Sequence, residues 1–160
     1  MRAKQTIRQG CATAFTLVEM LVVVSILVIL ISLVLSVANT VRNIGQEQLA
    51  RADMSKLMAQ VRSYHDLTGK YPPQAGSDPD TNCTALMKSL MTVNSIAAEI
   101  NERFPGKIIG DANSRMLTDA FGKPFNYLSN GGPGGTPVLI SAGPDRQWNT
   151  PDDIRSDERQ

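Results

Sequence analysis

The sequence of 160 residues predicts an α+β fold, with one long N-terminal helix and a small domain that contains a short antiparallel sheet. Three observations support this prediction. Residues 15–38 are apolar apart from one acid, and an amphipathic pattern without proline continues to residue 64. Two β-rich stretches, 125–128 and 138–141, flank a glycine-rich connection. We expect one core, because domains usually contain roughly 100–200 residues.

The apolar stretch 15–38 is long enough to cross a membrane. A helix rises about 1.5 Å per residue, so roughly 20 apolar residues span the hydrocarbon core of a bilayer. A cleavable secretory signal is the main alternative, but its apolar region is usually only about 7–15 residues long. A buried core helix would be shorter and would not be apolar on every face. We therefore predict a membrane-spanning helix segment over residues 15–38.

The charge distribution predicts the orientation of this segment. Formal net charge is +1, from 16 Lys and Arg against 15 Asp and Glu, and no basic cluster suggests nucleic-acid binding. Arg2, Lys4 and Arg8 precede the apolar stretch without an acid among them. Basic residues next to a spanning helix stay in the cytoplasm. The sequence therefore predicts a single-pass protein with a cytoplasmic N terminus and the rest of the chain across the inner membrane.

Glu19 is the only charged residue of the apolar stretch. It lies close enough to one end that its side chain could reach interfacial water by bending. An acid within a spanning segment costs about 3 kcal/mol on insertion scales, however, and such acids are functional candidates by default. A chain with one span has no second helix to provide a cation. The partner of Glu19 would then be a new N terminus or another copy of the chain.

Beyond residue 38 the long helix is predicted to become amphipathic. Apolar residues recur at steps of three and four, while charged residues occupy the intervening faces: Arg51, Asp53, Lys56 and Arg62. The helix should end near Thr68 and Gly69, because glycine is favoured just after a helix and prolines follow. A second helix is predicted over 83–104, and the stretches 125–128 and 138–141 are predicted to form an antiparallel hairpin.

The acidic turn near the C terminus is a candidate metal site. Asp145, Asp152 and Asp153 lie among residues that favour turns. Calcium prefers about 6–8 oxygen ligands from carboxylates, backbone carbonyls and water, which such a turn can provide. The spacing is not that of an EF-hand, and one histidine without paired cysteines argues against zinc. The residues alone leave a solvated acidic tail as an equal alternative.

Catalysis and disulfide bonding have little support in the sequence. Cys11 and Cys83 would lie on opposite sides of the membrane, so no bridge within one chain is expected. Ser141 is not part of a nucleophile-elbow pattern, and His65, the only histidine, has no assigned partner. The glycosylation sequon that begins at Asn82 is short enough to occur by chance. We therefore predict that the protein is not an enzyme.

The N-terminal stretch "AFTLVEMLVVVSILVILI" resembles the start of the type IV pilins and type II secretion pseudopilins. The resemblance implies that residues 1–14 are a cytoplasmic leader and that a prepilin peptidase cuts between Ala14 and Phe15 and methylates the new amine of Phe15. It also implies that Glu19 faces the N terminus of a neighbouring subunit in a filament. The resemblance further implies a pilin-like fold, in which a long N-terminal helix packs on a small globular domain.

Three further stretches resemble the major pseudopilin of type II secretion: "YHDLTGKYPP", "DAFGKPFNY" and "SAGPDRQWNTPDDI". The last is similar to the calcium loop of that family. The resemblance implies that Asp145 and one or both of Asp152 and Asp153 bind calcium through their side chains. Ala142 and a residue near Gln147 or Trp148 would contribute backbone carbonyls.

The resemblance as a whole implies a structural subunit of a type II secretion pseudopilus, which drives protein export across the outer membrane. The predicted spanning segment would be followed by a periplasmic domain over residues 39–154 and a flexible tail over 155–160. Implied partners are copies of the chain in a helical filament, the prepilin peptidase, the inner-membrane secretion platform, minor pseudopilins and, before assembly, membrane lipid. Alternatives are a minor pseudopilin, a type IV pilin for adhesion or DNA uptake, and a single-span calcium-binding anchor that does not assemble.

Overall fold

The computed structural model of the protein describes residues 16–158, without the side chains of residues 36, 37 and 39. Ala14 and Phe15, the predicted cleavage and methylation residues, lie outside the described residues. The chain divides into two compact units, the first ending at Thr40 and the second beginning at Val41. The second unit contains both sheets and the hydrophobic core.

The long helix α1 extends over Leu17–Thr68, and its 52 residues confirm the predicted continuous helix. All described side chains from Leu17 to Leu35 are exposed. By length and composition α1 can cross a membrane, and its most apolar 18-residue window has a mean hydropathy of 3.2. The helix ends as predicted, because Gly69 adopts φ +74° and its N–H donates to the carbonyl of His65 at 2.7 Å.

The predicted helix over 83–104 is two helices in the structure, and a single helix was wrong. Helix α2 covers Pro79–Leu90 and helix α3 covers Asn94–Arg103. Val93 between them has an extended backbone, with φ −101° and ψ 109°. The β-branched residues before Asn94 form helices less readily than the apolar residues on either side, so the apolar spacing alone concealed this break.

Two small antiparallel sheets follow the helices. Strand β1 (Ile108–Ile109) pairs with β2 (Met116–Leu117). The second sheet has the order β3-β4-β5, with β3 at Asn126–Leu128, β4 at Val138–Ser141 and β5 at Ile154–Arg155. Register places Tyr127 opposite Leu139, which confirms the predicted hairpin.

The folded domain continues beyond residue 154, where the sequence analysis placed a flexible tail. Arg155 belongs to β5, and Ser156 exchanges two hydrogen bonds with the backbone of Leu139: its N–H donates to the carbonyl, and its Oγ accepts from the N–H, both at 3.0 Å. Arg155 also pairs with Asp157 at 3.0 Å. These bonds fix the chain that follows the acidic turn. They were not predictable, because Ile154 is a single apolar residue between charged ones.

The core of the second unit lies between the domain half of α1, helices α2 and α3, and the two sheets. Its largest fully buried side chains come from every one of these elements except β1 and β5: Met54, Leu57, Leu86, Met87, Leu90, Ile96, Ile100, Phe104, Leu117, Phe125, Tyr127 and Leu139. The hydroxyl of Tyr127 donates to the carbonyl of Pro72 at 3.1 Å, which ties the chain after α1 to β3. The same sheet carries the acidic loop between β4 and β5.

Candidate functional site

The first candidate functional residue, Glu19, lies in the first turn of α1. Its N–H donates to Oγ1 of Thr16 at 3.2 Å, and the carbonyl of Thr16 accepts from the N–H of Met20 at 3.2 Å. Thr16 and Glu19 have the spacing of a capping box, in which a threonine caps the helix and a glutamate stands three residues later. Sequence reasoning missed this cap because it treated Glu19 only as an acid in an apolar stretch.

The capping geometry gives Glu19 a local electrostatic role. A carboxylate in the first turn is stabilised by the positive end of the helix dipole, typically by about 0.3–1 kcal/mol. Its side chain is exposed, and no side-chain partner for it occurs among the described residues. A dipole contribution of this size is smaller than the cost of an acid in hydrocarbon. The cap therefore explains part of the sequence pattern and leaves the carboxylate without a counter-ion.

The second candidate site is the loop between β4 and β5, residues 142–153. Its three acids bind the loop's own backbone. Asp152 accepts the N–H of Asp145 on Oδ2 at 3.0 Å, and Asp145 accepts the N–H of Gln147 on Oδ1 at 2.8 Å. Asp153 accepts the N–H of Asn149 on Oδ2 at 2.9 Å. The structure thus brings the three predicted carboxylates into one hydrogen-bonded loop.

The backbone of this loop turns at three residues with positive φ. Gly143 has φ +64°, and Arg146 and Asn149 have φ +59° and +66°. A Cβ atom added to Gly143 would lie 2.1 Å from the carbonyl oxygen of Asp152. Only glycine permits this close approach of the two ends of the loop. Ala142, the predicted carbonyl ligand, is fully buried immediately before this contact.

The carboxylates of the loop have opposite electrostatic environments. Burial raises the pKa of Asp153 above its usual value, and the charges of Asp152 and Asp145 add to the rise. Hydrogen bonds from the hydroxyl of Thr150 and the N–H of Asp145 lower the pKa of Asp152. Asp153 also has an oxygen, Oδ1, that is buried without a hydrogen-bond partner. A buried, unpartnered carboxylate oxygen is destabilising unless a cation or donor reaches it.

These residues fit a calcium ion through mixed ligands. Among the described residues no three His, Cys, Asp or Glu side chains gather closely enough to hold a metal by themselves. Calcium also accepts backbone carbonyl and water oxygens, so a carboxylate pair with carbonyls is a sufficient donor set. The unpartnered Oδ1 of Asp153 is the observation in favour of this fit, since a bound cation would satisfy it.

Sequence reasoning did not identify Asp119 as a site residue, although it quoted the stretch that contains it. Asp119 is buried and accepts the hydroxyl of Ser141, the last residue of β4. Ser141 in turn accepts the N–H of Gly143. A signal for this role was present in the sequence, because an acid followed by Phe121 and Lys123 in a glycine-containing turn is typical of a carboxylate that binds backbone N–H groups.

The remaining candidates have structural roles. The ring of His65 stacks on Tyr71 with centroids 4.4 Å apart. A cavity of about 430 Å³ lies beside α1, and the residues that line it include Arg62 and Tyr71 but no histidine or cysteine. Asn82 is fully buried, and its side-chain amide donates to Asn126 at 3.1 Å, so the folded protein does not present its sequon.

Comparison with protein families matches residues 39–157, more than half of the chain, to the family model of type II secretion system protein G. Neither the curated proteins nor the solved structures gave a significant match. The matched region begins before the amphipathic half of α1 and ends after β5, so it covers the whole folded domain. The family is a structural component of the secretion system and assembles into its pseudopilus. The chain belongs to the type II secretion system protein G family, the major pseudopilins, and is a structural subunit of the type II secretion pseudopilus.

Proposed function

We propose that this pseudopilin is inserted in the inner membrane with its N terminus in the cytoplasm and its domain in the periplasm. The basic residues Arg2, Lys4 and Arg8 before the apolar stretch support this orientation. The apolar half of α1 supports the insertion, because its described side chains are all exposed and uncharged apart from Glu19. Copies of the chain then leave the membrane to form a periplasmic filament that drives export across the outer membrane.

The exposed carboxylate of Glu19, which has no side-chain partner within residues 16–158, is the observation that carries this proposal. Cleavage between Ala14 and Phe15 creates a positive N terminus, whether or not the amine of Phe15 is then methylated. In a medium of low dielectric constant two opposite charges attract far more strongly than in water. A neighbouring subunit's N terminus would therefore satisfy Glu19, and each charge alone would be unfavourable in lipid. Assembly is thereby favoured for subunits whose leader has been removed.

The partners of the proposed function follow from these steps. The prepilin peptidase removes residues 1–14, and membrane lipid surrounds the apolar half of α1 before assembly. The inner-membrane secretion platform adds subunits, and minor pseudopilins share the filament. The match to the protein G family favours the major subunit over a minor pseudopilin or a type IV pilin.

Two variants in the first turn of α1 test the role of Glu19. Glu19→Gln removes the charge but keeps a residue that a capping box accepts, whereas Thr16→Val removes the cap and keeps the charge. We expect Glu19→Gln to insert in membranes and to reduce the yield of filaments at least about tenfold, because the attraction between opposite charges is lost. Thr16→Val should assemble nearly as well as the original chain.

The measurements are the sheared-filament yield and cross-linking between copies of the full chain, with resistance to carbonate extraction as the control for insertion. If Glu19→Gln assembles normally and Thr16→Val does not, capping is the role of this stretch and the charge-pairing proposal is wrong. A non-assembling anchor protein would give no cross-links with any variant. Mass spectrometry of the mature N terminus would show separately whether Phe15 is exposed by cleavage and methylated.

A further inference from the structure

A single buried carboxylate links the turn after β2 to the acidic loop. Asp119 is 3 % exposed. Its Oδ1 accepts the N–H groups of Phe121 and Lys123, each at 2.9 Å, and its Oδ2 accepts the hydroxyl of Ser141. Ser141 lies 22 residues later in the sequence, at the end of β4. The carboxylate is thus held by the backbone of its own turn and also binds the end of β4.

Ser141 connects Asp119 to the acidic loop through a second hydrogen bond. It is fully buried, and because its hydroxyl gives its only proton to Asp119, its oxygen is free to accept. It accepts the N–H of Gly143 at 3.3 Å. Ala142, whose carbonyl is a proposed calcium ligand, lies between these two bonded residues. Gly143 is also the residue that contacts the backbone of Asp152 at the other end of the loop.

We propose that Asp119 is a positioning residue for the acidic loop, which acts through Ser141 to fix the Ala142 carbonyl and the Gly143 turn in the conformation that receives calcium. Only the metal-dependent part of this proposal rests on calcium binding by the loop, which the family resemblance implies and the unpartnered oxygen of Asp153 supports. The hydrogen-bonded link itself is made by the chain's own residues. Asp119 would not contact the ion.

The chemistry of the link suits this role. Hydrogen bonds to an ionised carboxylate are roughly twice as strong as those between neutral groups. A carboxylate that accepts two backbone N–H groups on one oxygen cannot rotate without losing both, so its other oxygen has a fixed position. Partners that orient metal ligands in this way typically change metal affinity about 10–100-fold when they are mutated.

Asp111 provides a matched control within the same chain. It also accepts N–H groups of its own turn, from Asn113 at 3.0 Å and from Ser114 at 2.9 Å. Asp111 is exposed, however, and its hydrogen bonds remain within the turn between β1 and β2. Loss of its charge changes one turn and should not reach the acidic loop.

The first test uses hydrogen exchange on the full chain in detergent micelles with calcium chelated. We expect Asp119→Asn and Ser141→Ala to accelerate exchange of the amides of Gly143 and Asp145 at least tenfold. Ser141→Thr, which keeps a hydroxyl, should restore most of the protection, and Asp111→Asn should leave both amides unchanged. Equal exchange in Ser141→Ala and the original chain overturns the proposal, whatever calcium does.

The second test measures the calcium affinity of the same full-length proteins by titration calorimetry. If the original chain binds calcium, Ser141→Ala should weaken binding about 10–100-fold and Ser141→Thr far less. Unchanged affinity in Ser141→Ala would overturn the metal-dependent part. If the original chain binds no calcium, the calcium proposal fails, and the hydrogen-exchange result alone decides whether Asp119 positions the loop. If Asp119→Asn does not fold, Ser141→Ala still tests the proposal.

Discussion

Lys107 donates a hydrogen bond from Nζ to Oδ2 of Asp53, whose side chain on α1 is only 3 % exposed. Lys56, one turn further along α1, lies with its Nζ 3.4 Å from the other carboxylate oxygen. The two lysine side chains are 25 % and 43 % exposed, so both keep partial access to water. The buried partner of this cluster is therefore the acid, and Lys107, immediately before β1, holds the long helix to the first sheet.

Because Asp53 is buried and Lys107 is partly exposed, replacing one or the other should cost different amounts of stability. Lys107→Met leaves the buried carboxylate of Asp53 paired only with the more exposed Lys56, and we expect the free energy of unfolding to fall by about 2–4 kcal/mol. Asp53→Asn leaves a lysine that can turn to water, so about 1–2 kcal/mol is expected. Scanning calorimetry of the full chain in micelles measures both, at about 2–4 °C per kcal/mol.

The pair of Glu47 and Arg51, at 2.9 Å on the same helix, has no fully buried partner and is the control for this comparison. Pairs that keep access to water contribute about 0–1 kcal/mol, so Glu47→Gln should lower the melting temperature by at most about 4 °C. An Asp53→Asn variant that is less stable than Lys107→Met would contradict the assignment of the desolvated charge to the acid.

Asp53 also shows which part of the fold the sequence could predict. The continuous α1 was predictable, because apolar residues at steps of three and four define a helix face and no proline interrupts it. The burial of Asp53 was not predictable in this way. Its partner Lys107 lies 54 residues away, and a periodic pattern carries no information about contacts at that distance. The short strands β1, β2 and β5 were missed for a related reason, since two residues cannot display an alternation.

Gly143 allows a second prediction, about the closure of the acidic loop. Alanine at this position would have to keep φ +64° and would place its Cβ 2.1 Å from the carbonyl oxygen of Asp152. Left-handed backbone alone costs an alanine about 1–2 kcal/mol, and the clash adds to that cost. We expect Gly143→Ala to lower the melting temperature by about 6 °C or more and to weaken calcium binding.

Gly134 separates backbone strain from the clash. It has φ +69° in the connection between β3 and β4, and an added Cβ there would meet no atom within 4 Å. Gly134→Ala should therefore lower the melting temperature by about 2–8 °C and by less than Gly143→Ala does, with calcium binding unchanged. Equal losses in the two variants would mean that the loop accommodates a Cβ at Gly143 by moving the backbone of Asp152.

Asp153 provides a third prediction, about the calcium response. With calcium at about 100 times its dissociation constant, binding should stabilise the original chain by about 2.7 kcal/mol, or roughly 5–10 °C in melting temperature. Asp153→Asn should lose this response. Because burial and neighbouring acids raise the pKa of Asp153, its charge is unfavourable without calcium. The calcium-free melting temperature of Asp153→Asn should then be at least that of the original chain.

Asp157 is the matched control for Asp153. Its carboxylate lies four residues further on and pairs with Arg155, whose hydrogen bond lowers the pKa of Asp157. Asp157→Asn should lose this pair and become slightly less stable, while its calcium response stays intact. An unchanged melting temperature of the original chain with and without calcium would remove the calcium proposal altogether.

The candidate sites were predictable to different depths. Glu19 and the acids of the loop stood out because a charge in an apolar stretch and three acids in a turn are local composition signals. Asp119 and Ser141 were not identified, because their roles depend on a contact between segments 22 residues apart. The sequence indicated which acids could pair with a cation. Only the fold shows which other groups hold those acids in position.

Cys83 gives the last prediction, a loss of stability at alkaline pH. Its thiol is buried, accepts the N–H of Leu117 at 3.3 Å, and lies 3.6 Å from the Leu117 carbonyl. Burial raises the pKa of Cys83 to about 12, from an ordinary value of 9.0. Between these values the unfolded chain releases the thiol proton and the native chain retains it. The unfolded state then binds fewer protons, so stability falls as pH rises from 9 towards 12.

A Cys83→Ala variant isolates this contribution in a Cys11→Ser background. At pH 8 the alanine variant should be less stable by about 1–2 kcal/mol, because it loses a buried acceptor and some packing. At pH 10.5 the thiol's contribution should have fallen by on the order of 2 kcal/mol, so the two melting temperatures should converge. Iodoacetamide should label Cys83 at pH 8 only in denaturant. Rapid labelling of the folded protein would contradict a buried, protonated thiol. So would a stability difference between the two variants that does not change with pH.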